Sequence, residues 1–163
     1  MSKRLQSLAV FVLLIVGSIS ISDAQSARFQ LNNDGTITDT KTSLMWEQAP
    51  SSGRMTWSQA AGYAKNLRLT GYKDWRLPSI NELKVLLNIS KGDGDTENES
   101  NRHTYLMEHG FKNIQINEYW SSSAVDGGPQ NAWDVRMDNG TVGYNAHKNS
   151  MEYVLCVRTI KKK

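Results

Sequence analysis

The chain has 163 residues, with 19 Lys and Arg against 16 Asp and Glu, a formal charge of +3 and a pI near 9.0. A hydrophobic share of 39% and a charged share of 21% exclude an acidic disordered tail, a low-complexity filament and a polytopic membrane protein, leaving one compact domain as the expectation. The single cysteine, Cys156, excludes an intrachain disulfide framework and any zinc site built on several cysteines.

Lys3 and Arg4 precede an apolar stretch from Leu8 to Val16, and Ser22, Asp23 and Ala24 put small residues where a signal peptidase reads them. Residues 1–24 are expected to be a secretory signal cut after Ala24, with 25–163 as one mature domain. The apolar run from Leu8 to Ile21 contains Gly17, Ser18 and Ser20 and falls short of the roughly 20 residues of a spanning helix, so no stable membrane insertion is expected after cleavage. Without Lys3, Arg4 and Asp23 the balance is 17 basic against 15 acidic residues. Without Lys161, Lys162 and Lys163 as well it is 14 against 15, so the body of the domain is near neutral and nucleic acid is not expected as a partner.

From Arg28 the pattern reads as short strands. Arg28 to Leu31 runs into the turn Asn33, Asp34, Gly35, and Thr36 to Asp39 leaves it, giving a hairpin. Ser43 to Glu47 follows as a strand, with Leu44 and Trp46 on one face and Met45 on the other. Thr56 stands three residues before Gln59, the capping-box spacing, and Trp57, Ala60, Ala61, Ala64 and Leu67 recur at helical intervals, with Gly71 as the stop. Asp74 to Pro78 is extended, because the residue before a proline is pushed away from helix. Ser79 and Glu82 repeat the capping box, and Leu83, Leu86 and Leu87 form the buried stripe of a second helix ending near Ile89.

Residues 90–118 read as a long loop with at most one helical turn around Tyr105 to His109. Four more strands are expected over Tyr119 to Ala124, Asn131 to Met137, Thr141 to Asn145 and Glu152 to Ile160. Asp126 to Pro129 and Asp138 to Gly140 are the turns between the first three. In the last strand Tyr153, Leu155 and Val157 share one face and Val154, Cys156 and Arg158 the other.

Several separated pieces carry a family resemblance: Asp34 to Trp46, Thr56 and Trp57, Gly71 to Leu83 with its Asp74, Trp75, Arg76, Leu77, Pro78, Ser79 run, Tyr119 to Ser123 with Trp120, and Cys156 to Arg158. Together they resemble a bacterial secreted domain family named after the C-terminal domain of the Legionella collagen-like adhesin, over essentially the whole mature chain. The resemblance implies an α+β, C-type-lectin-like fold: two helices flanking small antiparallel sheets, paired terminal strands and a long loop region that carries ligand binding. Similar domains often place a cysteine in the first helix as partner to the one in the last strand. Here that helix reads Ala60, Ala61, Gly62, Tyr63, Ala64, so Cys156 is expected as a small buried hydrophobe. The Glu-Pro-Asn or Gln-Pro-Asp loop of calcium-dependent sugar-binding lectins is replaced by Gly128, Pro129, Gln130 and Asn131. Their Trp-Asn-Asp strand is replaced by Gly143, Tyr144, Asn145 and Ala146, so no cofactor is expected.

Trp46, Trp57, Trp75 and Trp120 are expected in the core, and Tyr144, then Trp133, at the surface. Asp74 beside Arg76 is expected to serve structure, with Arg76 fixing the corner before the second helix and Glu82 capping it. Asp93, Asp95 and Glu97 alternate oxygen ligands as a calcium loop does, but Asn98 and Thr104 stand where an EF-hand has its glycine and last acid, so a solvated acidic loop is preferred. His103, His109 and His147 are too dispersed for a metal site, and Ser121 to Ser123 lack a nucleophile elbow. The expectation is an exported, non-catalytic module binding an extracellular glycan or protein through Asp126, Gln130, Asn131, Tyr144, Asn145 and His147. The three terminal lysines would add attraction for acidic polysaccharides. The alternatives are an assembly subunit, favoured by an exposed apolar edge over Phe111 to Ile116, and, behind it, an enzyme of the kind that forms formylglycine, whose chemistry needs cysteines this chain lacks.

Overall fold

A computed structural model describes residues 27–87 and 102–161. The expected signal, the acidic run with Asp93, Asp95 and Glu97, and Lys162 and Lys163 lie outside the described residues. The order is β1 (Phe29–Leu31), β2 (Thr36–Asp39), β3 (Leu44–Glu47), α1 (Trp57–Asn66), α2 (Ile80–Leu86), α3 (Arg102–Glu108), β4 (Glu118–Val125), β5 (Gly128–Arg136), β6 (Val142–His147) and β7 (Val157–Thr159). This is an α+β fold with two antiparallel sheets, one ordered β1-β2-β3-β7 and the other β4-β5-β6. Among the described residues no helix is long and apolar enough to cross a membrane.

Both capping boxes form as the spacing predicts. Thr56 accepts from the Gln59 N–H and Ser79 from the Glu82 N–H, while Gln59 and Glu82 reach back to their caps. At α2 the box is locked from outside: Arg76 donates to both Glu82 oxygens at 2.7 and 2.8 Å. Burial acts to raise the Glu82 carboxyl, but the bonds from Arg76 and Ser79 outweigh it and hold the group below its ordinary value. Asp74, next but one in sequence to Arg76, instead pairs with Arg158 at 2.7 and 3.1 Å.

The side chains form two cores with one wall between them. Leu44, Trp46, Tyr119, Val135, Leu155 and Val157 belong to the first, with Leu83, Leu86 and Leu87 of the α2 region. Ala60 and Ala64 of α1, Trp75, Trp120, Val154 and Cys156 belong to the second. The alternation expected in Ser43 to Glu47 and Tyr153 to Arg158 is therefore real, with successive residues pointing into different cores. Trp46, Trp75 and Trp120 are buried as expected, and Trp57 is half-buried against the second core.

Four expectations need correction. First, α1 ends at Asn66 with Leu67 as its cap, and Gly71, at φ 81°, belongs instead to the turn between Leu69 and Tyr72. Second, a third helix, α3, fills Arg102–Glu108 where at most a turn was expected; it is held by Leu106 in the first core and by Phe29, whose ring lies edge-on to Tyr105 and His109. Third, the Phe111 to Ile116 edge is not an exposed apolar strip, since Phe111 and Ile114 are buried in the first core and only Ile116, at 55%, faces solvent. Last, the closing strand is regular only over Val157–Thr159, because Glu152 and Tyr153 each bridge a different neighbour, Met55 and Tyr119.

Replacing Glu82 by Ala removes both the reciprocal cap and the Arg76 pair. The unfolding free energy in urea is expected to fall by about 1–3 kcal/mol. Replacement of the exposed Glu108 by Ala is expected to stay within about 0.5 kcal/mol. Equal effects would contradict the role given to the Arg76–Glu82 lock.

Candidate functional site

The candidate site is the face of the β5–β6 hairpin beside α2. Asp126 and Gly127 make the two-residue turn between β4 and β5, since Val125 and Gly128 are register partners. Asn131 pairs across the sheet with His147, and the Lys148 N–H donates to the Gln130 carbonyl at 2.8 Å. The hairpin thus gathers Gln130, Asn131 and His147 at one end, with Asp126 at the neighbouring turn. Asp126, Gln130 and His147 are exposed and Asn131 is half-buried. Asn145 lies in β6 between Tyr144 and Ala146.

Tyr144 is 63% exposed, the most open large hydrophobic residue among the described residues. It does not stand alone: its ring centroid lies 5.8 Å from that of half-buried Trp133, at an interplanar angle of 53°. Lys84 of α2 places its ammonium 5.8 Å from the Trp133 ring centre, within cation–π range. Two adjacent aromatic rings with a cation beside one of them suit a ligand carrying C–H faces. Lys84 was not singled out in the sequence, because nothing local signals that α2 packs over β5.

Beneath this face lies a second feature that the sequence reading missed. Asp134, directly after Trp133, and Glu152 are both buried and hydrogen-bonded to each other. Asp134 also accepts from the Gly143 N–H, and Gly143 directly precedes Tyr144. A Cβ on Gly143 would overlap Asp134 Oδ1. A glycine inside a strand does signal a close backbone approach, but it does not name the partner.

Burial pushes the Glu152 carboxyl up to about 8, aided by the Asp134 and Glu118 carboxylates. The Asp134 carboxyl is also raised, by burial and then Glu118. Among the described residues no group of three or more His, Cys, Asp or Glu is arranged to hold a metal ion. Cys156 is buried, and burial together with the Glu47 carboxylate pushes its thiol far up, so it stays protonated.

The family model described as Lcl C-terminal domain matches residues 35–158, more than half of the chain. Among curated proteins, none matches it.

Substituting Gly143 by Ala is expected to destabilise the fold by about 1–3 kcal/mol, because the added methyl meets a carboxylate rather than a flexible side-chain end. In an Asp134→Ala background the same methyl finds room, so the double mutant is expected to lose less than the sum of the single losses. Strict additivity in urea melts would rule out the close approach.

Proposed function

Because the chain belongs to the Lcl C-terminal domain family, we propose that it is an exported, non-catalytic binding module with a C-type-lectin-like fold, recognising a glycan or protein outside the cell. The terminal strands β1 and β7 share one sheet but form its two edges, β1 pairing with β2 and β7 with β3, so the expected direct pairing of the chain ends is not met. The two capped helices and the separate three-stranded sheet support the fold reading. The charged start and apolar run of residues 1–24 support export to the periplasm or cell surface.

The observation that carries the binding reading is the pair of exposed Tyr144 and half-buried Trp133, flanked by Lys84. A tryptophan or tyrosine left open at a hairpin gives a rigid apolar plane at little entropic cost, and it stacks on the C–H face of a sugar ring. Gln130, Asn131 and His147 supply donors and acceptors along the same hairpin, with Asp126 at its neighbour and Asn145 beside Tyr144 in β6. Chemistry at Cys156 is disfavoured because a thiol held protonated in a core is a poor nucleophile. The assembly alternative loses its support with the burial of Phe111 and Ile114.

On a glycan and matrix-protein array, Tyr144→Ala and Trp133→Ala are each expected to weaken retention about tenfold, the loss of one aromatic anchor worth about 1.4 kcal/mol. Tyr72→Ala, which removes an exposed aromatic lying under Arg158, is expected to leave retention unchanged. Retention indifferent to both Tyr144 and Trp133 would refute the site.

A further inference from the structure

We propose that the Asp134–Glu152 pair holds one shared proton and acts as a pH-sensitive latch that sets the spacing of the Trp133–Tyr144 face. The proposal deepens the binding reading above and rests on it for its consequence to ligands, but the latch itself stands on separate geometry.

Two carboxyl groups can hydrogen-bond to each other only while one of them carries a proton. Glu152 is 6% exposed, and its Oε2 is buried with no hydrogen-bond partner among the described residues. A buried carboxylate oxygen without a donor is costly when charged, so the pair holds its proton into the neutral range.

The surroundings offer little to replace that proton. From β4 comes Glu118, whose carboxylate is already held by Arg136 at 2.9 Å. Arg136 itself, on β5, is divided between Glu118 and Asp138. β6 brings the uncharged Gly143 against Asp134, and the segment before α1 brings the backbone of Met55 to Glu152. Tyr153, the next residue along, stacks on Tyr119.

The two ends of the latch are unequal. Glu152 is tied at its backbone by reciprocal bonds to Met55, at 2.8 and 3.1 Å, and cannot retreat. β6 pairs with β5 alone and is the edge of its sheet, so it can move. When the shared proton leaves, repulsion drives the Asp134 carboxylate away from Glu152 and against Gly143, where it already occupies the place a Cβ would take. β6 must shift, and Tyr144, one residue beyond Gly143, moves relative to Trp133, one residue before Asp134. The face is therefore set in its closed spacing at acidic and neutral pH and loosened above it.

The linkage sign is fixed. Folding raises both carboxyls, so the folded state binds more protons than the unfolded chain between the ordinary carboxylate range, about 4, and about 8. Stability accordingly declines as the pH rises through that interval and levels off beyond it.

The test is a ¹H–¹⁵N NMR titration of the protein from pH 6 to 9. The Gly143 and Tyr144 amides and the Trp133 indole N–H are expected to shift together with one midpoint near 8. In Glu152→Gln, which cannot lose a proton, the three resonances are expected to stay still, and Asp134→Asn is the second variant should the first fail to fold. Static resonances in the unmodified protein, or the same midpoint in a folded variant, would overturn the latch. A retained glycan from the array is expected to bind several-fold more weakly at pH 9 than at pH 6, and equally at both in Glu152→Gln. Equal binding at both pH values by the unmodified protein would overturn the link to the face. If the array retains nothing while the resonances still titrate, the binding reading fails and the latch stands.

Discussion

The structure depends on the hydrogen bonding of one closing segment, Glu152 to Arg158. Its backbone is tied in turn to Met55 through Glu152, to Glu118 and Trp120 through Tyr153, to Ser51 through Val154, to Glu47 through Cys156 and to Arg76 through Val157. These partners come from the end of β3, from the segment between β3 and α1, from the segment before α2 and from β4. Each such bond nets only about 1 kcal/mol, yet losing one inside the wall would strand a buried donor or acceptor at about 1–3 kcal/mol. The segment therefore keeps its register, and its alternating side chains must enter opposite cores. A slip by one residue would turn Leu155 and Val157 out of the first core and Cys156 out of the second.

The wall is flanked by two buried acids with opposite fates. Glu47 accepts the Cys156 N–H at 2.6 Å and the Tyr63 hydroxyl at 2.9 Å, so both its oxygens are satisfied although burial raises its carboxyl. Here a carboxylate supports the fold by ending a strand and fixing α1 against β3. Glu152, at the other end of the same segment, meets another acid and has one buried oxygen without a hydrogen-bond partner among the described residues. One position is used for rigidity, while the other leaves a group whose charge state changes with pH beneath the most exposed aromatic of the domain.

Local chemistry made much of this frame legible. The Thr56–Gln59 and Ser79–Glu82 spacings mark both helix starts to the residue, since a cap is a contact within four positions. The period-two alternation of Tyr153 to Val157 assigns the two cores correctly, although only the tertiary fold reveals that both faces are buried. The helix α3 was illegible because it buries a single residue, Leu106, and is fixed by rings from β1. Arg76 fixes the corner before α2 through Glu82, six positions on, as the sequence suggests, whereas the partner of Asp74 was illegible because it lies 84 positions away, at Arg158. At the site, Tyr144 and Trp133 stand out by type and place, whereas Lys84 and the Asp134–Gly143–Glu152 contacts depend on sheet register and packing that no short motif encodes.

Native-state hydrogen exchange of the closing segment tests the central claim most directly. The Val154, Cys156 and Val157 amides, bonded to the Ser51 hydroxyl, the Glu47 carboxylate and the Arg76 carbonyl, are expected to exchange only through global unfolding, with protection equal to that of the best-protected amides of β3. Exchange of these three through a lower-energy local opening, while β3 stays protected, would contradict the account.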